Sequence, residues 1–94
     1  MTDKLGPVRL FTPLSAAQAD QAERGALYGD FLVWVDHPQP GAAAEGAIWV
    51  EIEVPDTRLG KFEKRQGPQL GYREFVLPTR MTNLHRAQRV QLPE

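Results

Sequence analysis

The sequence predicts a small α+β domain in which a five- or six-stranded, mostly antiparallel, bent sheet is packed by one N-terminal helix. Three observations predict it. Ninety-four residues supply one hydrophobic core and leave too little chain to close a second. Eight glycines and eight prolines punctuate the chain too often for a helical bundle and suit short strands joined by turns. Apolar residues alternate with period two in several segments, whereas one early segment is rich in Ala and Gln and lacks β-branched residues. A single domain over residues 1–94 is expected, with an ordered core at about 8–92.

The first strand is expected at 8–11, stopped by Thr12-Pro13. That pair reads as a helix start, Thr12 capping and Pro13 taking the first helical position. The helix then covers Leu14 to Arg24 and ends at Gly25, the residue expected just past a helix C-terminus. Phe31 to Val35 is apolar on both alternating sets and reads as a strand inside the sheet. Residues 37–46 form a Pro/Gly/Ala loop. In the next strand Ile48, Val50, Ile52 and Val54 face one way, and Trp49, Glu51 and Glu53 form a wet face opposite. Pro55-Asp56 opens a short helical turn through Leu59. Phe62 to Gln66 reads as a charged edge strand, Gly67-Pro68 and Gly71 as a turn, and Tyr72 to Leu77 as a strand stopped by Pro78. A turn through Thr82-Asn83 leads into a last strand at His85 to Leu92. There is no repeat or heptad.

Composition excludes several functions. With no cysteine, a disulfide scaffold, a thiolate zinc site and a thiol nucleophile are all ruled out. The longest apolar run, Phe31 to Val35, falls far short of the about 20 residues that span a bilayer, and Met1 to Val8 lacks a signal peptide's apolar segment, so a cytoplasmic protein is expected. Net charge is −1, yet it is unevenly placed: residues 1–57 carry three cations against nine carboxylates, and residues 58–94 carry eight against three. Either the halves neutralise each other within one fold, or the second half offers a basic surface to a phosphate-bearing ligand or an acidic partner.

No phosphate loop, dinucleotide glycine motif, zinc-protease motif or nucleophile elbow occurs. His37 and His85 are far apart in sequence, no metal is expected, and Asp36-His37 lacks a nucleophile to serve. Trp34 and Trp49 with Arg65 or Arg73 could stack single-stranded nucleic acid, although strand tryptophans are more often core or rim. Glu74 is the more informative carboxylate. Alternation places it with Tyr72 and Val76 on one strand face, which is either solvated or part of a cleft. In a cleft, partial desolvation would suit it to a ribose hydroxyl or a developing cation.

The order of a strand running into Phe11-Thr12, an Ala-rich helix ending at Gly25, FLVWV, a Pro/Gly/Ala loop, IWVEIEVPD and GYREFVLPTRMTN resembles small bacterial ADP-ribosyltransferase-like domains. The resemblance spans about Val8 to Leu92. It implies NAD held in a cleft of a split sheet, with Arg9 on the NAD phosphate or ribose, Thr12 positioning the ligand, Tyr72 as a further cofactor contact, and Glu74 as the catalytic glutamate that stabilises the cation as nicotinamide leaves. The first-strand histidine of one branch of such domains is absent, Leu10-Phe11 standing there, so the resemblance implies a domain acting on a macromolecule, either a minimal or degenerate member without transferase activity or one in which Arg9 replaces the histidine. The alternative is a protein–protein interaction module, such as an inhibitor, immunity or accessory protein, with no catalysis and a protein partner chosen by charged surfaces. Nucleic-acid binding through Arg58 to Arg89 is the weakest reading, and no membrane partner is expected.

Overall fold

The computed structural model describes residues 7–39, 41, 43–64 and 71–92. In chain order they form β1 (Pro7–Leu14), α1 (Ala16–Glu23), β2 (Phe31–Val35), β3 (Ile48–Pro55), two 3₁₀ turns (Asp56–Arg58 and Gly60–Phe62), β4 (Glu74–Pro78), α2 (Thr79–Leu84) and β5 (Gln88–Arg89). The five strands make one sheet in the order β4-β2-β1-β3-β5, every neighbouring pair antiparallel. FLVWV is an interior strand, as its two apolar faces require.

The first strand is longer than its sequence suggests. Leu10, Thr12 and Leu14 alternate onto the covered face, and β3 pairs with β1 along its whole length, from Pro7↔Pro55 to Leu14↔Ile48. This pairing carries Thr12-Pro13 into the strand and displaces the helix start to Ser15. Ser15 and Gln18 form a capping box, the hydroxyl accepting from the Gln18 N–H and the Gln18 side chain accepting from the Ser15 N–H. Pro13 has no N–H to give to β2. The Val33 carbonyl, which strand alternation sets opposite it, accepts from the Thr12 hydroxyl at 2.8 Å instead. The result is a seam: β1 and β2 share one paired position, Phe11↔Val35, against eight between β1 and β3.

Leu10, Leu14, Trp34, Val50, Ile52, Val54, Phe75 and Leu77 project from the sheet into the core. They are covered by Ala19 and Ala22 of α1, by Leu27, by Leu59 between the 3₁₀ turns, and by Ala87. Gly25 ends α1 with φ of 69°, and a Cβ there would sit 3.3 Å from the Asn83 carbonyl oxygen, so glycine answers both the backbone and the close approach.

Three further segments differ from the sequence reading. The Thr82-Asn83 turn is part of α2, which is too short to be stable alone and is held by side chains. Thr79 donates its hydroxyl to the Gly29 carbonyl at 2.6 Å, and Asn83 accepts from the Leu27 N–H at 2.9 Å while donating to the Leu27 carbonyl at 3.3 Å. The last strand shrinks to Gln88–Arg89 because the preceding chain is occupied by α2 and its exit. Of the expected edge strand at 62–66, Phe62 belongs to a 3₁₀ turn and Glu63 bridges Phe75. Residues 65–66 and the Gly67-Pro68 turn lie outside the described residues. No helix among the described residues is long and apolar enough to cross a membrane.

Candidate functional site: the uncovered sheet face

Strand alternation sends a second set of side chains to the face that carries no helix among the described residues. Register aligns Glu74, Val35, Phe11, Glu51 and Gln88 in one row across all five strands. Beside it run Val33 and Val76, which pair directly, and Pro13 and Trp49, which do the same. Phe31 is 59% exposed and Val33 45% exposed at the β2 end of this surface. Large apolar side chains on an interior strand are normally covered, so their exposure is the feature that needs explaining.

The charges on this face are mostly paired. Arg9 forms a two-pronged bond with Glu51, Nε donating to Oε2 at 3.1 Å and Nη2 to Oε1 at 2.7 Å, and its guanidinium lies 5.7 Å from the centre of the Phe11 ring. The hydrogen bond to Glu51, backed by that carboxylate's charge, raises Arg9 above its ordinary pKa. Glu51 is only 4% exposed, which corrects the reading of a wholly wet face on β3. Lys64 Nζ lies 3.3 Å from Glu74.

The residues singled out from the sequence are distributed as follows. Arg9 and Glu74 share the open face but sit on β1 and β4, with β2 between them, about 10 Å apart from two interstrand spacings alone. The Arg9 guanidinium bonds to β3, on the side away from β4. Thr12 is buried on the opposite face with its hydroxyl committed to Val33. Tyr72, partly buried, precedes β4. Of the four residues, Arg9 and Glu74 thus share the open face, and Thr12 lies on the other one. Glu51, the one carboxylate locked to Arg9, is the residue sequence reasoning missed. Its only signal was opposite charge on two strands whose pairing had not been assigned.

The two tryptophans point to opposite faces, Trp34 into the core and Trp49 to the open face, so they form no joint stacking platform. Arg65 lies outside the described residues. Arg73 makes a two-pronged bond to Glu63, each arm 3.0 Å, and stacks 5.0 Å from the Phe75 ring centre. Its hydrogen bond holds the Glu63 carboxyl below its usual pKa. Asp36 accepts from the Arg73 backbone N–H at 2.8 Å and lies 3.0 Å from His37 Nδ1, extending the β2–β4 ladder by a side chain. Among the described residues no cluster of three or more His, Asp or Glu is arranged to hold a metal ion.

Partial burial pushes the His85 imidazole below its usual 6.5, helped by the nearby Arg58 charge and opposed by a hydrogen bond with the Glu53 backbone. The folded state therefore favours neutral His85. Stability from this group is present above the unfolded value and is lost as pH falls through the lower folded value. Urea midpoints are expected to drop as pH falls below the ordinary imidazole value of 6.5, and His85→Gln is expected to flatten that drop. An unchanged slope in the variant would assign the pH dependence elsewhere.

No family model, no curated protein and no solved structure matches this chain.

Proposed function

We propose that this domain is a protein–protein interaction module, of the inhibitor, immunity or accessory kind, that docks through the open face of its sheet. The observation that carries the reading is the exposure of Phe31 and Val33 on a sheet face that they share with the partly buried Phe11, Val35, Trp49 and Val76. Its occupant is a partner protein presenting an apolar face of little net charge. Glu51 and Glu74 each already have a cation, so the face selects by shape and apolar area more than by charge.

The strand edges offer little to a partner. On β4 the outward-facing backbone groups are those of Glu74, Val76 and Pro78; the Glu74 carbonyl accepts from the Lys64 N–H at 2.8 Å, and Pro78 has no N–H. On β5 the Arg89 N–H is met by the Glu23 carboxylate at 3.4 Å. Strand addition is discouraged at both edges, leaving the face. The transferase reading is the alternative, and it sets one dinucleotide across β2 between Arg9 on β1 and Glu74 on β4. A cytoplasmic setting suits a chain without cysteine.

A photo-crosslinking residue at position 33 is expected to label one discrete protein that the same residue at Arg24 does not. Binding of that protein, once purified, is expected to weaken at least about tenfold in Val33→Lys, with folded stability changed by only about 0.5 kcal/mol at this exposed position. Equal binding by the native and Val33→Lys proteins would overturn the reading. Saturable NAD binding lost in Glu74→Ala would replace it with the transferase one.

A further inference from the structure

Charge pairing in the fold absorbs only part of the basic surplus of residues 58–94. Arg89 bridges to Asp20 and Glu23, Arg73 to Asp56 and Glu63, and Lys64 to Glu74. Among the described residues Arg58, Lys61, Arg80 and Arg86 make no ion pair. Two of these four, Arg58 and Lys61, line one cleft of about 490 Å³ together with Thr57, Gly60, Phe62 and Met81. Arg80 is the residue next to Met81. The cleft lies where the 3₁₀ turns meet α2, in the layer that covers the core face of the sheet and away from the open face.

Its charge is left unopposed by a specific arrangement. The carboxylates that bracket the turns, Asp56 and Glu63, are both drawn to Arg73, at 3.7 and 3.0 Å. The cations at the cleft are therefore without the acidic neighbours that sequence proximity would supply. Between them Phe62 and Met81 provide an apolar surface, with Lys61 Nζ 5.6 Å from the centre of the Phe62 ring. The volume falls within the range of small-molecule sites, about 300–1,000 Å³.

We propose that this cleft binds a phosphate monoester carried on a flat ring. The Arg58 guanidinium can grip two phosphate oxygens, Lys61 adds a point charge, and Thr57 adds a hydroxyl donor. The ring lies on Phe62 and Met81, where stacking and sulfur–aromatic contact are both favourable. A nucleotide and an aryl phosphate share this chemistry, and the test separates them.

The native protein is titrated by nuclear magnetic resonance with adenosine monophosphate, phenyl phosphate, adenosine and inorganic phosphate. Both esters are expected to shift Lys61, Phe62 and Met81 signals saturably and to bind more tightly than adenosine or phosphate alone, and the tighter ester identifies the ring. Arg58→Gln and Lys61→Gln, both at exposed positions, are each expected to weaken ester binding about tenfold while Arg24→Gln leaves it unchanged. Circular dichroism establishes that all three variants are folded. The proposal is overturned if neither ester saturates, if adenosine binds as tightly as its phosphate ester, or if Arg24→Gln weakens binding as much as Arg58→Gln does.

Discussion

Trp34→Ala is expected to remove about 3–5 kcal/mol of folding stability, the range for truncating a buried large aromatic. A domain of this size holds about 5–14 kcal/mol in total, so the variant is left marginal or unfolded. Trp34 is fully buried on β2 opposite Phe75, and both rings fill the core between the sheet and its cover. Among the described residues its Nε1 has no hydrogen-bond partner, so this side chain contributes through volume and apolar contact rather than through its polar edge. Trp34→Phe is accordingly expected to cost much less than Trp34→Ala. Urea denaturation followed by far-ultraviolet circular dichroism measures both. Near-native stability of Trp34→Ala would mean that the β2–β4 core packs around something else.

Asn83→Ala is expected to cost about 2–3 kcal/mol, because it leaves the buried Leu27 N–H and the Leu27 carbonyl without their side-chain partner. The bond pair joins positions 56 residues apart and fixes α2 against the chain leaving Gly25. Asn83→Asp keeps the acceptor for the Leu27 N–H and loses the donor to its carbonyl, so it is expected to fall between the two. Thermal unfolding of the three proteins orders them. An Asn83→Ala midpoint equal to the native one would show that α2 is held by packing alone.

The parts of the fold that were legible in the sequence are those decided by local pattern. FLVWV and IWVEIEVP announce themselves by alternation, and Ala-rich 16–23 by composition. What was not legible depends on partners. Thr12-Pro13 has good helix-start chemistry, yet pairing with Val50 and Trp49 keeps it extended, and the hydroxyl that would have capped a helix instead substitutes for the N–H that Pro13 lacks. The α2 segment carries little helical signal of its own and is helical because Thr79 and Asn83 find backbone groups near Gly29 and Leu27.

The candidate sites divide in the same way. The face of Glu74 followed from its own strand, but which strands stand beside it did not. Arg9 and Glu74 are assigned to one cleft by the resemblance and not by any pattern of their own strands. The order β4-β2-β1-β3 separates them and gives Arg9 to Glu51. The basic surplus was visible from a count, whereas the cleft at Arg58 and Lys61 required knowing that Arg73 takes the nearby carboxylates.

Pro13 on β1 has a mechanical consequence. With one paired position across β1–β2, the sheet is two ribbons, β2–β4 and β1–β3–β5, stitched by Phe11↔Val35, the Thr12 hydroxyl and the shared core. Force or thermal fluctuation that separates the ribbons has few backbone bonds to break at that line, while each ribbon keeps its own ladder intact. The open face runs directly across this line, so a partner lying on Phe11 and Val33 would act as a splint between two halves that the backbone only tacks together.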